Sequence, residues 1–163
     1  MNWDAIGAVA EIVGALGVIL SLLYLAAQIR QGLTTAEDTS TKEIIALVVT
    51  QFNAMAEETN RSSITRGLID YRNLSGDEKL TFDSLMTSLL MIVSSSFMSN
   101  KANLLTDELF SGWSGYLQPR LFPYSGMREW WDESRNVFIP EMQAWVDKEF
   151  SKADTNQDFW GIK

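Results

Sequence analysis

The sequence predicts an all-α protein: one N-terminal transmembrane helix followed by a small helical bundle of about five helices. Three observations carry this. Residues 5–27, AIGAVAEIVGALGVILSLLYLAA, are apolar except for Glu11 and Ser21. Further along, apolar residues recur at three- and four-residue spacing, the period of one helix face. Strand signals are absent: there is no sustained alternation and no Asn-Gly or Asp-Gly hairpin turn.

The first element is the apolar run. At about 1.5 Å rise per residue it makes a helix of roughly 34 Å, against a hydrocarbon core of about 30 Å. Trp3 and Tyr24 stand where amphipathic rings prefer the headgroup zone, and Arg30 follows where its side chain can snorkel to the interface. These three are the candidate interface anchors. A cleaved signal peptide would carry a positive n-region, but the only charged side chain before the run is Asp4. No Lys or Arg precedes the run, whereas Arg30 and Lys42 follow it. The positive-inside rule then puts the C-terminal domain in the cytoplasm. A long buried helix in a soluble protein is the competing reading.

The run is small-sided in its first half. Gly7, Ala10, Gly14 and Gly17 are candidate helix-packing positions, the first three near one face, because small residues let backbones approach closely. One span in one chain has no internal partner. The expected partners are therefore the lipid bilayer and either a second copy or another membrane protein. Glu11 lies roughly 9 Å inside the run. An acid at that depth is a functional candidate by default. It would form a ring in a homo-oligomer, pair with a partner's base in a hetero-complex, or reach the headgroups if the helix sits shallow.

Composition narrows the rest. The 163 residues carry a net charge of −8, and only Asp4, Glu11 and Arg30 precede residue 31, so the remainder holds −7. That argues against nucleic acid, whose phosphates require basic patches. There is no cysteine and no histidine. Thiol catalysis, disulfides, Ser-His-Asp chemistry and the commonest zinc ligand are all excluded. No catalytic residue, metal site or cofactor is expected, and the chain is read as a non-enzyme.

Residues 31–40, QGLTTAEDTS, are expected to form a hinge or a continuation of the helix. Gly32 is a possible cap, and two capping boxes compete for the next start, Thr34 with Glu37 and Ser40 with Glu43; the second is preferred. Ile44, Ile45, Leu47, Val48, Phe52 and Met55 then mark a helix to about Asn60, opening a bundle over 41–151. A shorter helical segment occupies 61–74. Ser75-Gly-Asp-Glu78 is a capping box, and Phe82, Leu85, Met86, Leu89, Leu90, Val93 and Phe97 follow on one face. Asp83 and a series of hydroxyls argue against a second span there. Thr106 starts the next helix, Pro119 ends or kinks it, and Ser125-Gly126 opens a short one with Met127, Trp130 and Trp131. Pro140 suits the first turn of a last helix over 140–151. The tail, 152–163, is either loose or pinned by Phe159 and Trp160.

Trp113, Trp130, Trp131, Trp145 and Trp160 crowd the C-terminal third. They make either a core or a docking or ligand face, with Trp130 and Trp131 flanked by Arg128 and Arg135 as its candidate residues. Arginines so placed also pair with nearby acids such as Glu129 and Asp132.

The opening NWDAIGAVAEIVGALGVILSLLYLAAQIRQ and the later GMREWWDESRNVFIPEMQAWVD resemble a widespread group of uncharacterised bacterial proteins of similar length. The shared features are the boundary Tyr24 to Arg30, the Arg-x-Trp-Trp of Arg128 to Trp131, and the pattern from Phe138 to Val146. Residues 31–60 match it least. The resemblance implies a bacterial inner-membrane protein and brings no activity. The functional expectation is a membrane-anchored assembly or accessory protein that oligomerises or docks through the Gly/Ala face. The alternatives are a small homo-oligomeric channel with a Glu11 ring and a ligand-sensing membrane-tethered domain.

Overall fold

The structure is a computed structural model that describes the backbone of residues 3–162; the side chains of 3–10, 12, 13 and 15 lie outside the described residues. All described secondary structure is helical, with six α-helices and one 3-10 turn. The chain forms two compact units, residues 1–39 and residues 40–163.

Helix α1, Trp3–Ala56, is uninterrupted. The hinge at 31–40 is therefore not formed, and the region continues the helix. Thr34 and Thr35 donate their hydroxyls to the carbonyls of Arg30 and Gln31 one turn back, instead of capping a new start. Ser40 donates to Ser99 Oγ at 3.2 Å, so its hydroxyl is not the cap of a new helix either. Gly32 costs about 1 kcal/mol relative to Ala inside a helix, too little alone to stop one, and no proline occurs before Pro119.

The second unit is built on α3, Gly76–Lys101. Its start is the capping box expected: Ser75 accepts from the Glu78 amide, and the Glu78 carboxylate accepts from the Ser75 amide at 3.0 Å. That backbone donor, with the Ser75 hydroxyl and Arg66 beside it, holds the Glu78 carboxyl below its ordinary value. Its end is a Schellman motif. Asn103 takes φ 57°, its amide bonds Asn100 and the Leu104 amide bonds Ser99. Phe82, Met86, Leu89, Leu90 and Val93 are fully buried along α3. Two described helices are long and apolar enough to cross a membrane, α1 and α3; the most apolar window of α3 is 44% buried within the protein and that of α1 is 0% buried. Helix α3 is thus a core helix.

Around it pack α2, Glu58–Ile69; α4, Asp107–Arg120; α5, Ser125–Ser134; and α6, Pro140–Lys152. Thr106 caps α4 by accepting from the Leu109 amide, and Pro119 sits in its last turn. Pro140 opens α6. The C-terminal end of α1 adds Ile44 and Gln51, whose side-chain amide donates to the Leu85 carbonyl at 2.7 Å. Helices α2 and α5 meet backbone to backbone. A Cβ placed on Gly126 would stand 1.9 Å from the Gly67 carbonyl oxygen, and one on Gly67 would stand 2.2 Å from the Phe82 ring.

Among the described residues of this unit, one carboxylate is buried. Glu149, 2% exposed, accepts from Ser114 at 2.8 Å and Gln118 at 2.7 Å and pairs with Lys152. Burial pushes its carboxyl up, but the bonds from Lys152, Ser114 and Gln118 outweigh it, leaving it below the ordinary 4.5. A carboxyl lowered on folding adds stability above its unfolded value and loses it as pH falls through the folded one. Glu149→Gln is therefore expected to lower stability by about 1–3 kcal/mol at neutral pH. Thermal melts should show that gap closing as the pH drops below about 4.5; a gap unchanged in acid would contradict the charge's role.

Candidate functional site

Along the first unit the described side chains face outward. Leu16, Val18, Ile19, Leu20, Leu22, Leu23 and Leu25 are each at least half exposed, so the helix is apolar on every side. Its hydroxyls are satisfied within the helix: Ser21 donates to the Gly17 carbonyl at 2.8 Å, and Gln28 donates to the Tyr24 hydroxyl at 3.0 Å. Nothing lies within 4 Å of a Cβ built on Gly14 or Gly17. Glu11 is exposed, as are Tyr24 and Arg30. Glu11 and Gly14, three residues apart, share one side of the helix. The surroundings of Trp3, Gly7 and Ala10 lie outside the described residues.

The Trp/Arg region is not an open face. Trp130 is fully buried and Trp131 is 2% exposed, which removes both rings from any docking surface. They belong to the core because each indole N–H finds an acid: Trp130 donates to Asp83 at 2.8 Å and Trp131 to Asp147 at 2.8 Å. Arg135 pairs with Asp147 at 2.7 Å, not with a sequence neighbour. Arg128 lies 4.8 Å from the Phe150 ring centroid and donates to the Phe150 carbonyl at 2.8 Å, bracing the last turn of α6. Trp113 and Trp145 also pack into or against this core. Trp160, at 47% exposure, stands apart.

Trp160 belongs to the tail, for which the sequence leaves two readings, loose or pinned by Phe159 and Trp160. The tail is pinned: the Trp160 indole donates to the Arg120 carbonyl at 2.8 Å, its amide to the Tyr124 hydroxyl, and the Ile162 amide to Asp158. Gly161 turns the chain at φ 64°, a conformation glycine takes without strain. The Arg120 guanidinium lies 4.7 Å from the Tyr116 ring centroid and 4.3 Å from that of Phe159. So held, Trp160 and Ile162 wall a cleft of about 430 Å³. Its other walls are Phe52 and Met55 of α1, Arg61, Ile64, Thr65 and Leu68 of α2, and Tyr116 of α4. The Phe52 and Tyr116 rings meet in a tilted pair, with centroids 5.0 Å apart. Burial pushes the Tyr116 phenol up, against the opposing charge of Arg120.

No group of three or more His, Cys, Asp or Glu is placed to hold a metal among the described residues. No protein family, curated protein or solved structure matches the chain.

Proposed function

We propose that the chain is a membrane-anchored, non-enzymatic assembly or accessory protein of the bacterial inner membrane, with its helical domain on the cytoplasmic side. The observation that carries this reading is the all-round exposure of apolar side chains from Leu16 to Leu25. Such a surface is costly in water and favourable in lipid, where a helix keeps every backbone group bonded within itself. The hydroxyls of Ser21, Thr34 and Thr35 bonded to carbonyls one turn back fit the same environment. The open flank at Gly14 and Gly17 suits close approach of a second helix from another copy or another membrane protein. The burial of Trp130 and Trp131 favours this reading over ligand sensing at that pair.

Native mass spectrometry from mild detergent tests the association. An oligomer or a stoichiometric partner is expected, and Gly14→Ile should weaken it by about ten-fold, or about 1.4 kcal/mol. A strict monomer with nothing co-purifying overturns the reading. Glu11, exposed one turn from Gly14, keeps the channel as a second reading. That reading requires a bilayer conductance that Glu11→Gln alters.

A further inference from the structure

We infer that the cleft between α1, α2, α4 and the tail binds a free medium-chain fatty carboxylate. The cleft has the size and apolar lining of a small-ligand site. Its polar complement is one-sided. Arg61, Thr65 and Tyr116 line it, and the side chains of these three make no hydrogen bond or ion pair among the described residues. All three can donate, no carboxylate lines the cleft among the described residues, and Arg120 adds a second cation against the Tyr116 ring. An apolar trough with unpaired donors and one cation at its edge matches an alkyl chain ending in an anion. A neutral chain would leave Arg61 unpaired, and a cationic one would be repelled by it.

Trp160 supplies the readout, because it walls the cleft while Trp130 and Trp131 are buried elsewhere. The full-length chain in phosphatidylcholine nanodiscs is titrated with decanoate brominated at its terminal carbon, a short-range quencher of indole fluorescence. Saturable quenching is expected, and Trp160→Phe should abolish the saturable part. The brominated alcohol of the same length should bind about ten-fold more weakly, and Arg61→Gln should weaken the acid about ten-fold while leaving the alcohol unchanged. Arg61 is exposed, so its replacement leaves folding intact.

Quenching that never saturates, or that survives Trp160→Phe, is partition into the disc and overturns the site. An alcohol that binds as tightly as the acid overturns the anion. A third arm uses discs containing brominated phosphatidylglycerol. Quenching of Trp160 there that decanoate does not relieve assigns the cleft to a membrane lipid and overturns the free acid.

Discussion

Gly126→Ala is expected to destabilise the helical domain by about 3 kcal/mol or more, at the upper end for overpacking a core. The added methyl would stand 1.9 Å from the Gly67 carbonyl oxygen and 2.9 Å from the carbonyl carbon of Leu68. These are backbone atoms of α2, so no side-chain rotation relieves the clash. Separating α2 from α5 would also strip contacts from Leu68 and Met127, both at most 2% exposed. Against a typical total of about 5–15 kcal/mol, that loss is a large fraction of the whole. It should lower the melting temperature by roughly 10–20 °C. Gly67→Ala differs in kind, since its methyl would meet the Phe82 ring at 2.2 Å. Combining it with Phe82→Leu should cost less than the two changes summed, whereas no such rescue exists for Gly126. Gly112→Ala and Gly115→Ala are the controls. Nothing lies within 4 Å of either Cβ, and each should be neutral or gain up to about 1 kcal/mol of helix propensity. A Gly126→Ala protein melting with the parent would show that the two helices do not cross this closely.

What was legible in the sequence was local. Ser75, Thr106 and Pro140 open helices because capping is settled within three or four residues of the cap. The apolar face of α3 was legible for the same reason, its period being its own. Residues 31–40 were not, because Thr34 and Ser40 carry hydroxyls that serve a cap or a continuing helix equally well. Thr34 settled on its own helix, bonding the Arg30 carbonyl; Ser40 settled on Ser99 across the fold. The tryptophans were legible as core candidates but their partners were not. Trp130 bonds Asp83, 47 residues earlier, an acid legible only as an argument against a second span. The Gly67–Gly126 contact and the cleft share this character. Each joins segments distant in sequence, and a glycine or an isolated Arg61 announces nothing about what it will face.

The paired substitution Leu16→Arg with Leu20→Arg is expected to move the protein out of the membrane fraction without disturbing the domain. Leu16 is 54% and Leu20 66% exposed, so neither is held by the protein's own core. At the centre of a span each arginine costs roughly 3 kcal/mol, and each leucine removed forfeits about half a kcal/mol more. The two together add roughly 7 kcal/mol against insertion. The parent should survive a carbonate wash in the pellet, while the variant should fall at least about ten-fold in that fraction. The melting of the domain should stay within about 0.5 kcal/mol, as for exposed positions generally. Helix α3 supplies the contrast. Leu89 and Leu90 are fully buried, so arginines there should unfold the domain, not relocate it. The two helices are comparably apolar, and only the fate of their side chains differs. For α3 the core removes the leucines from water; under the proposed anchor, lipid does so for α1. A parent chain that stays soluble without detergent, or a variant that fractionates as the parent does, would refute the anchor and with it the association through Gly14.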